Sequence, residues 1–176
     1  EVVINVVTHD LVQQMNLAGA EVPRGANEFE LAGLTPLAAE RVRPFRVAES
    51  PVQIECRVRE VLTLGEHKGA GNLVVCEALL MHVHPKYLDA SGRINQAALG
   101  LVGRLGGAYY SRTDSSCLFE LPKASNTVLG LAGLPGYLRE STILTGYDLG
   151  VLGHAERLPS PEEATRGLPA FAAGAF

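Results

Sequence analysis

The sequence predicts a mainly β fold, a small β-barrel with short helices, on three observations. Residues 52–64 alternate apolar and polar side chains over a full strand length. Residues 72–84 return as a second strand after a glycine-rich turn. No strand–long-helix–strand rhythm, the mark of a doubly wound parallel sheet, occurs in the 176 residues. With 47% hydrophobic and 19% charged side chains the chain can bury a core without disulfides or a structural metal.

Taken in order, residues 2–7 are β-branched and apolar on both faces, which predicts a strand covered on both sides. Thr8 stands where it would cap a helix carrying Leu11, Val12 and Met15 and ending near Gly19. Asn27 with Glu30 three residues on resembles a capping box, and Gly33 lies where a left-handed glycine stops a helix. Three prolines and the run Glu40-Arg41-Val42-Arg43 predict an extended surface crossing over residues 34–51.

The strand of residues 52–64 sets Val52, Ile54, Cys56, Val58, Leu62 and Leu64 against a wet face of Gln53, Glu55, Arg57, Arg59 and Thr63, with only Glu60 out of register. Residues 65–71 make the turn. Its partner, residues 72–84, is apolar on both faces apart from Glu77, His82 and His84, as in a central barrel strand or one at a subunit interface. A short helical turn after Pro85, a Ser91-Gly92 turn and a helix over residues 96–102 capped by Asn95 come next. Residues 104–112 read as a glycine hinge leading into an aromatic strand, and residues 117–121 as a last strand. Beyond Pro122 the chain turns to glycine, proline and short capped helices, Ser160-Pro161-Glu162-Glu163 among them. The expected organisation is a barrel domain over residues 1–121 and an extension over 122–176 that wraps it.

Composition narrows the function. A net charge of −4 with scattered basic residues argues against nucleic acid as a partner, and the longest apolar stretch is too short to span a bilayer. Three cysteines without C-x-x-C spacing argue for a reducing, cytoplasmic compartment. The nucleophile elbow, the phosphate-binding P-loop, the H-E-x-x-H helix and the dinucleotide glycine fingerprint are all missing. His82-x-His84 could grip a metal if a third ligand joined, as in a cupin-like barrel, or be satisfied by water and backbone. His67 either faces a planar ligand or is a solvated turn residue. Arg104, beside Gly106-Gly107, either clamps an anion or pairs with a structural carboxylate. Asn5, inside an apolar strand, needs a partner for its amide: a neighbouring backbone or a heteroaromatic ring edge.

Several segments together resemble the flavin reductase-like, FMN-binding split-barrel family, in the branch that includes flavoredoxin. They are Val2-Val3-Ile4-Asn5-Val6-Val7-Thr8, Met15-Asn16, Asn27 through Pro36, Val47-Ala48-Glu49-Ser50-Pro51, Gly69-Ala70-Gly71-Asn72-Leu73-Val74 and Arg104-Leu105-Gly106-Gly107-Ala108-Tyr109-Tyr110. The resemblance implies a homodimeric split barrel that holds FMN and passes electrons from NAD(P)H to an acceptor. A non-enzymatic FMN electron carrier is the alternative on the same fold. It implies FMN contacts by Asn5, Met15, Asn16, Asn72 and Arg104, with His67 and His82 on the nicotinamide side. The family's upstream strands, with a Lys-Asp-Thr segment, have no counterpart here. The expectation is a carboxy-terminal two-thirds of such a barrel that binds FMN weakly or not at all by itself.

Overall fold

A computed structural model describes residues 1–67, 69–121 and 123–167. Two compact units divide the chain, Glu1–Phe119 and Glu120–Phe176.

In the first unit, strand β1 (Val2–Asn5) is followed by helices α1 (Val12–Ala18) and α2 (Glu28–Ala32). The two short strands β2 (Pro36–Leu37) and β3 (Arg46–Val47) pair with each other. Strands β4 (Val52–Thr63) and β5 (Asn72–Val83) form the long hairpin that the alternation predicts. Helix α3 (Gln96–Leu99) then leads into a second hairpin, β6 (Val102–Arg104) and β7 (Tyr110–Arg112). The main sheet is antiparallel with order β1-β4-β5.

The two asparagine caps form where the sequence places them. The Asn27 side chain accepts from the Phe29 amide and its Nδ2 donates to Glu30, while Gly33 ends α2 at φ +64°. Asn95 caps α3 in the same manner, accepting from the Ala98 amide.

Four expectations about caps, element bounds and the crossing are corrected. Thr8 does not cap α1, whose N-cap is Leu11; it pairs instead with Leu101 in an isolated antiparallel bridge. The helix expected over residues 96–102 stops at Leu99, because Gly100 takes the left-handed conformation at φ +58° and releases Val102 into β6. Residues 117–121 are not a strand: Asp114 caps a single 3-10 turn, Ser115–Cys117, and the chain runs on irregularly. The crossing over residues 34–51 is not purely a surface path, since it holds the β2–β3 pair and buries Val42, Ser50 and Pro51.

The largest correction concerns faces. β1 is an edge strand with Ile4 47% exposed rather than covered on both sides, and β5 exposes Leu73, Val74 and Met81. Conversely, the face of β4 expected to be wet is dry at its start, where Gln53 and Glu55 are buried. One geometric fact accounts for both. β1 pairs only with residues 53–56 of β4, from Asn5↔Gln53 to Val2↔Cys56, and the 34–51 crossing covers the same stretch. Farther along, β4 and β5 form a two-stranded ribbon.

The second unit contains a 3-10 turn, Leu131–Gly133, and helices α4 (Gly136–Arg139), α5 (Gly146–Gly153) and α6 (Pro161–Gly167). Thr145 and Asp148 make a reciprocal capping box on α5, and Ser160 with Glu163 does the same at the start of α6. Among the described residues no helix is long and apolar enough to cross a membrane.

Candidate functional site

Helix α1 separates two clefts. The segment leading into it is fixed to the β6–β7 region: the His9 amide donates to the Gly100 carbonyl at 2.8 Å, and Thr8 pairs with Leu101 in the isolated bridge. The 3.6-residue period then sends Leu11, Met15 and Ala18 to one side of α1, and Val12, Gln13 and Asn16 to the other.

The smaller cleft, about 210 Å³, is apolar. Val6, Val7, Leu11 and Met15 form its walls, with Asn5 and Ser50 as polar edges. The Asn5 Oδ1 accepts from the Val47 amide at 2.9 Å, whereas its Nδ2 reaches only the Val3 carbonyl at 3.5 Å, the outer limit of a hydrogen bond. Ser50 Oγ lies 2.8 Å from both the Val6 and the Val52 carbonyl and ties the end of β1 to β4.

The larger cleft, about 580 Å³, lies between α1 and the β6–β7 hairpin, and none of its lining residues is acidic. Arg104 donates to Tyr110 Oη at 2.9 Å and to the Gly107 carbonyl at 3.0 Å, with its guanidinium 5.2 Å from the centre of the Tyr110 ring. Gly107, at φ +61°, allows the turn that presents that carbonyl.

The structure therefore brings Asn5 together with Met15, and Asn16 together with Arg104, on opposite sides of one helix. Asn72 and His67 are elsewhere. Asn72 pairs with Thr63 whereas Asn5 pairs with Gln53, ten residues earlier on β4, a separation on the order of 30 Å at strand rise. His67 lies farther out, in the turn.

His82 is engaged inside the fold. Its Nε2 is 2.6 Å from Glu55 Oε1, and its Nδ1 is 3.9 Å from Glu40. Glu55, fully buried, also accepts from the amides of Glu40, at 2.9 and 3.1 Å, and Arg41, at 2.6 Å. Burial works against its charge, but the Glu40 amide, the His82 ring and the Arg41 amide outweigh it and hold the carboxyl at about 2. With Glu55 ionised, the ring nitrogen facing it is the donor. Arg46 completes the network, donating to Gln53 Oε1 at 3.0 Å and to the Ala38 carbonyl, while Gln53 Nε2 donates to the carbonyls of Val47 and Ser50.

Sequence reasoning missed this cluster, because a strand face that meets water and one that meets a second polar layer have the same period. His84 is a local cap, its Nδ1 accepting from the Lys86 amide at 3.2 Å. Among the described residues no three His, Cys, Asp or Glu side chains are grouped to hold a metal, so the third ligand that the cupin-like alternative requires is not beside His82 and His84. Cys56, Cys76 and Cys117 are all free thiols.

Solved structures that share the fold include the following three. Nitrilotriacetate monooxygenase component B from Bacillus cereus is 28% identical, aligned over 68% of this chain and 58% of its own with a TM-score of 0.60. A flavin reductase with split barrel domain from Shewanella frigidimarina is 25% identical over 69% of this chain and 60% of its own, with a TM-score of 0.57. Flavoredoxin of Desulfovibrio vulgaris, at 20% identity, covers 70% of this chain and 62% of its own and has a TM-score of 0.56, a likeness of fold. The chain spans about 60% of the length of the two curated relatives it matches at 33% and 31% identity. The profile of the flavin reductase like domain matches residues 1–98, which hold β1 through β5, both walls of the apolar cleft and α1. With more than half of the sequence matched and the split-barrel fold shared, the chain belongs to the flavin reductase like domain family.

Proposed function

We propose that this chain is the flavin-holding part of an oxidoreductase that passes electrons from NAD(P)H through FMN to a flavin, protein or small-molecule acceptor. The observation that carries this reading is the apolar cleft beside α1. Val6, Val7, Leu11 and Met15 offer a dry wall to one face of a flat heteroaromatic ring, and Asn5 retains an amide N–H for an acceptor on the ring edge. FMN, when bound, would accept the hydride of NAD(P)H and pass its two electrons on to the acceptor. The protein's part is to position the ring, exclude water and hydrogen-bond its edge, which is consistent with a site that has no catalytic triad.

The same reading makes the protein a homodimer. The β4–β5 ribbon exposes Val61, Leu62, Leu64, Leu73, Val74 and Val75, an apolar surface that a second copy would cover. Asn72 and His67, too far from Asn5 to share its site within one chain, would then serve the site of the second copy.

The test is a visible absorption titration with FMN, followed by NAD(P)H oxidation. It compares the 176-residue chain with a chimaera carrying a family member's amino-terminal strands. The flavin envelope is expected to shift strongly in the chimaera and weakly or not at all in the 176-residue chain, and Met15→Asp should abolish the shift in the chimaera. An unperturbed envelope in both proteins overturns the reading.

A further inference from the structure

We propose that the cleft between α1 and the β6–β7 hairpin binds the diphosphate of the nicotinamide dinucleotide donor, gripped by Arg104 and Arg112. The proposal rests on the reading above that the donor is NAD(P)H, and assigns it a place separate from the apolar cleft.

The pairing of β6 with β7 sets Arg104 opposite Tyr110 and Val102 opposite Arg112. Residues directly opposite in an antiparallel pair share a face, and so do residues two apart on one strand. Both guanidinium-bearing residues therefore stand on one face of a three-residue hairpin, and both line the cleft.

Their charges are available. Arg104 is held by a phenol oxygen and a backbone carbonyl, which fix its plane without cancelling its charge. Arg112 forms no ion pair among the described residues. Asp114 feels the Arg112 charge, and its Oδ1 is engaged by the amide and hydroxyl of Ser116. By contrast Arg43, Arg93 and Arg157 each sit within 3.3 Å of a carboxylate.

The opposite wall supplies His9, Gln13 and Asn16, polar groups suited to ribose hydroxyls, while no carboxylate lines the cleft to repel an anion. Two forked guanidiniums diagonal on one hairpin face match two linked phosphates better than a single carboxylate, and about 580 Å³ is roomier than one small anion needs.

The experiment is calorimetric titration of the 176-residue chain with inorganic pyrophosphate, with NADP⁺ and, separately, with FMN. Pyrophosphate and NADP⁺ are expected to compete. Arg104→Gln and Arg112→Gln should each weaken both by about tenfold or more. Arg112→Lys, which keeps the charge but loses the fork, should fall between.

The wild-type chain provides a measurement that needs no variant to fold: affinity for pyrophosphate should drop steeply as salt rises. Overturning results are absence of NADP⁺ binding, folded arginine variants that bind NADP⁺ as the wild type does, or NADP⁺ binding indifferent to pyrophosphate. Displacement of FMN rather than NADP⁺ by pyrophosphate would also overturn the proposal and give the cleft to the flavin phosphate. No arm with NADP⁺ uses flavin, so a failure of flavin binding appears separately, as an unperturbed FMN spectrum.

Discussion

Glu55 concentrates more constraint than any other side chain described. Four polar partners converge on one buried carboxylate: two backbone amides of the crossing, the His82 ring and, at 3.9 Å, the Arg46 guanidinium. Its pKa in the folded chain, about 2, lies below the ordinary 4.5. The stabilisation is therefore fully present above pH 4.5 and is lost as pH falls toward 2. Urea unfolding at pH 7, 4.5 and 3 should show the wild type weakening over that interval and Glu55→Gln weakening less. Glu55→Ala, which strands the amides and the imidazole without their acceptor, should cost about 3 kcal/mol at pH 7. The sequence made Asn5 legible, because an amide in an apolar strand must find a partner and its Oδ1 does so at Val47. Glu55 was illegible for the converse reason: its backbone donors lie 14 and 15 residues upstream in a segment without regular period, and His82 stands 27 residues downstream.

Among the elements, those defined by local chemistry were readable. Asn27, Asn95 and Ser160 cap the turns that follow them, and Gly33 ends α2, because a cap depends on residues within one turn of each other. Asn27→Ala should lower stability by about 1 kcal/mol, measured as a reduced thermal midpoint with the flavin-free chain. The long hairpin was readable too, including its flaw: Glu60, out of step in the alternation, adjoins the register shift between Val58 and Glu60. The β6–β7 hairpin was not, because three-residue strands offer one alternation each and Gly106-Gly107 looks alike as a hinge or a turn. The shape of the larger cleft was therefore not legible, and Asn16 and Arg104, which line it, are residues that the resemblance implies as FMN contacts.

Across the whole molecule the unresolved requirement is cover for the β4–β5 ribbon. Leu73 and Val75, two apart on one face of β5, are 50% and 41% exposed. Sedimentation at micromolar concentration should find the wild type self-associated, and Leu73→Lys with Val75→Lys should shift it to monomer without loss of secondary structure. Which faces of a strand are dry is decided by neighbours, so residues 72–84, apolar on both faces, could announce a need for cover without naming its source. The same arrangement gives β4 an uneven character along its length. Its first residues are zipped on both sides and roofed by the crossing, while those after Cys56 have, among the described residues, a strand partner on one side only. Amide protons near Gln53 should thus be released only when the unit unfolds, and those near Leu62 by fraying from the tip, so that one continuous strand keeps two clocks.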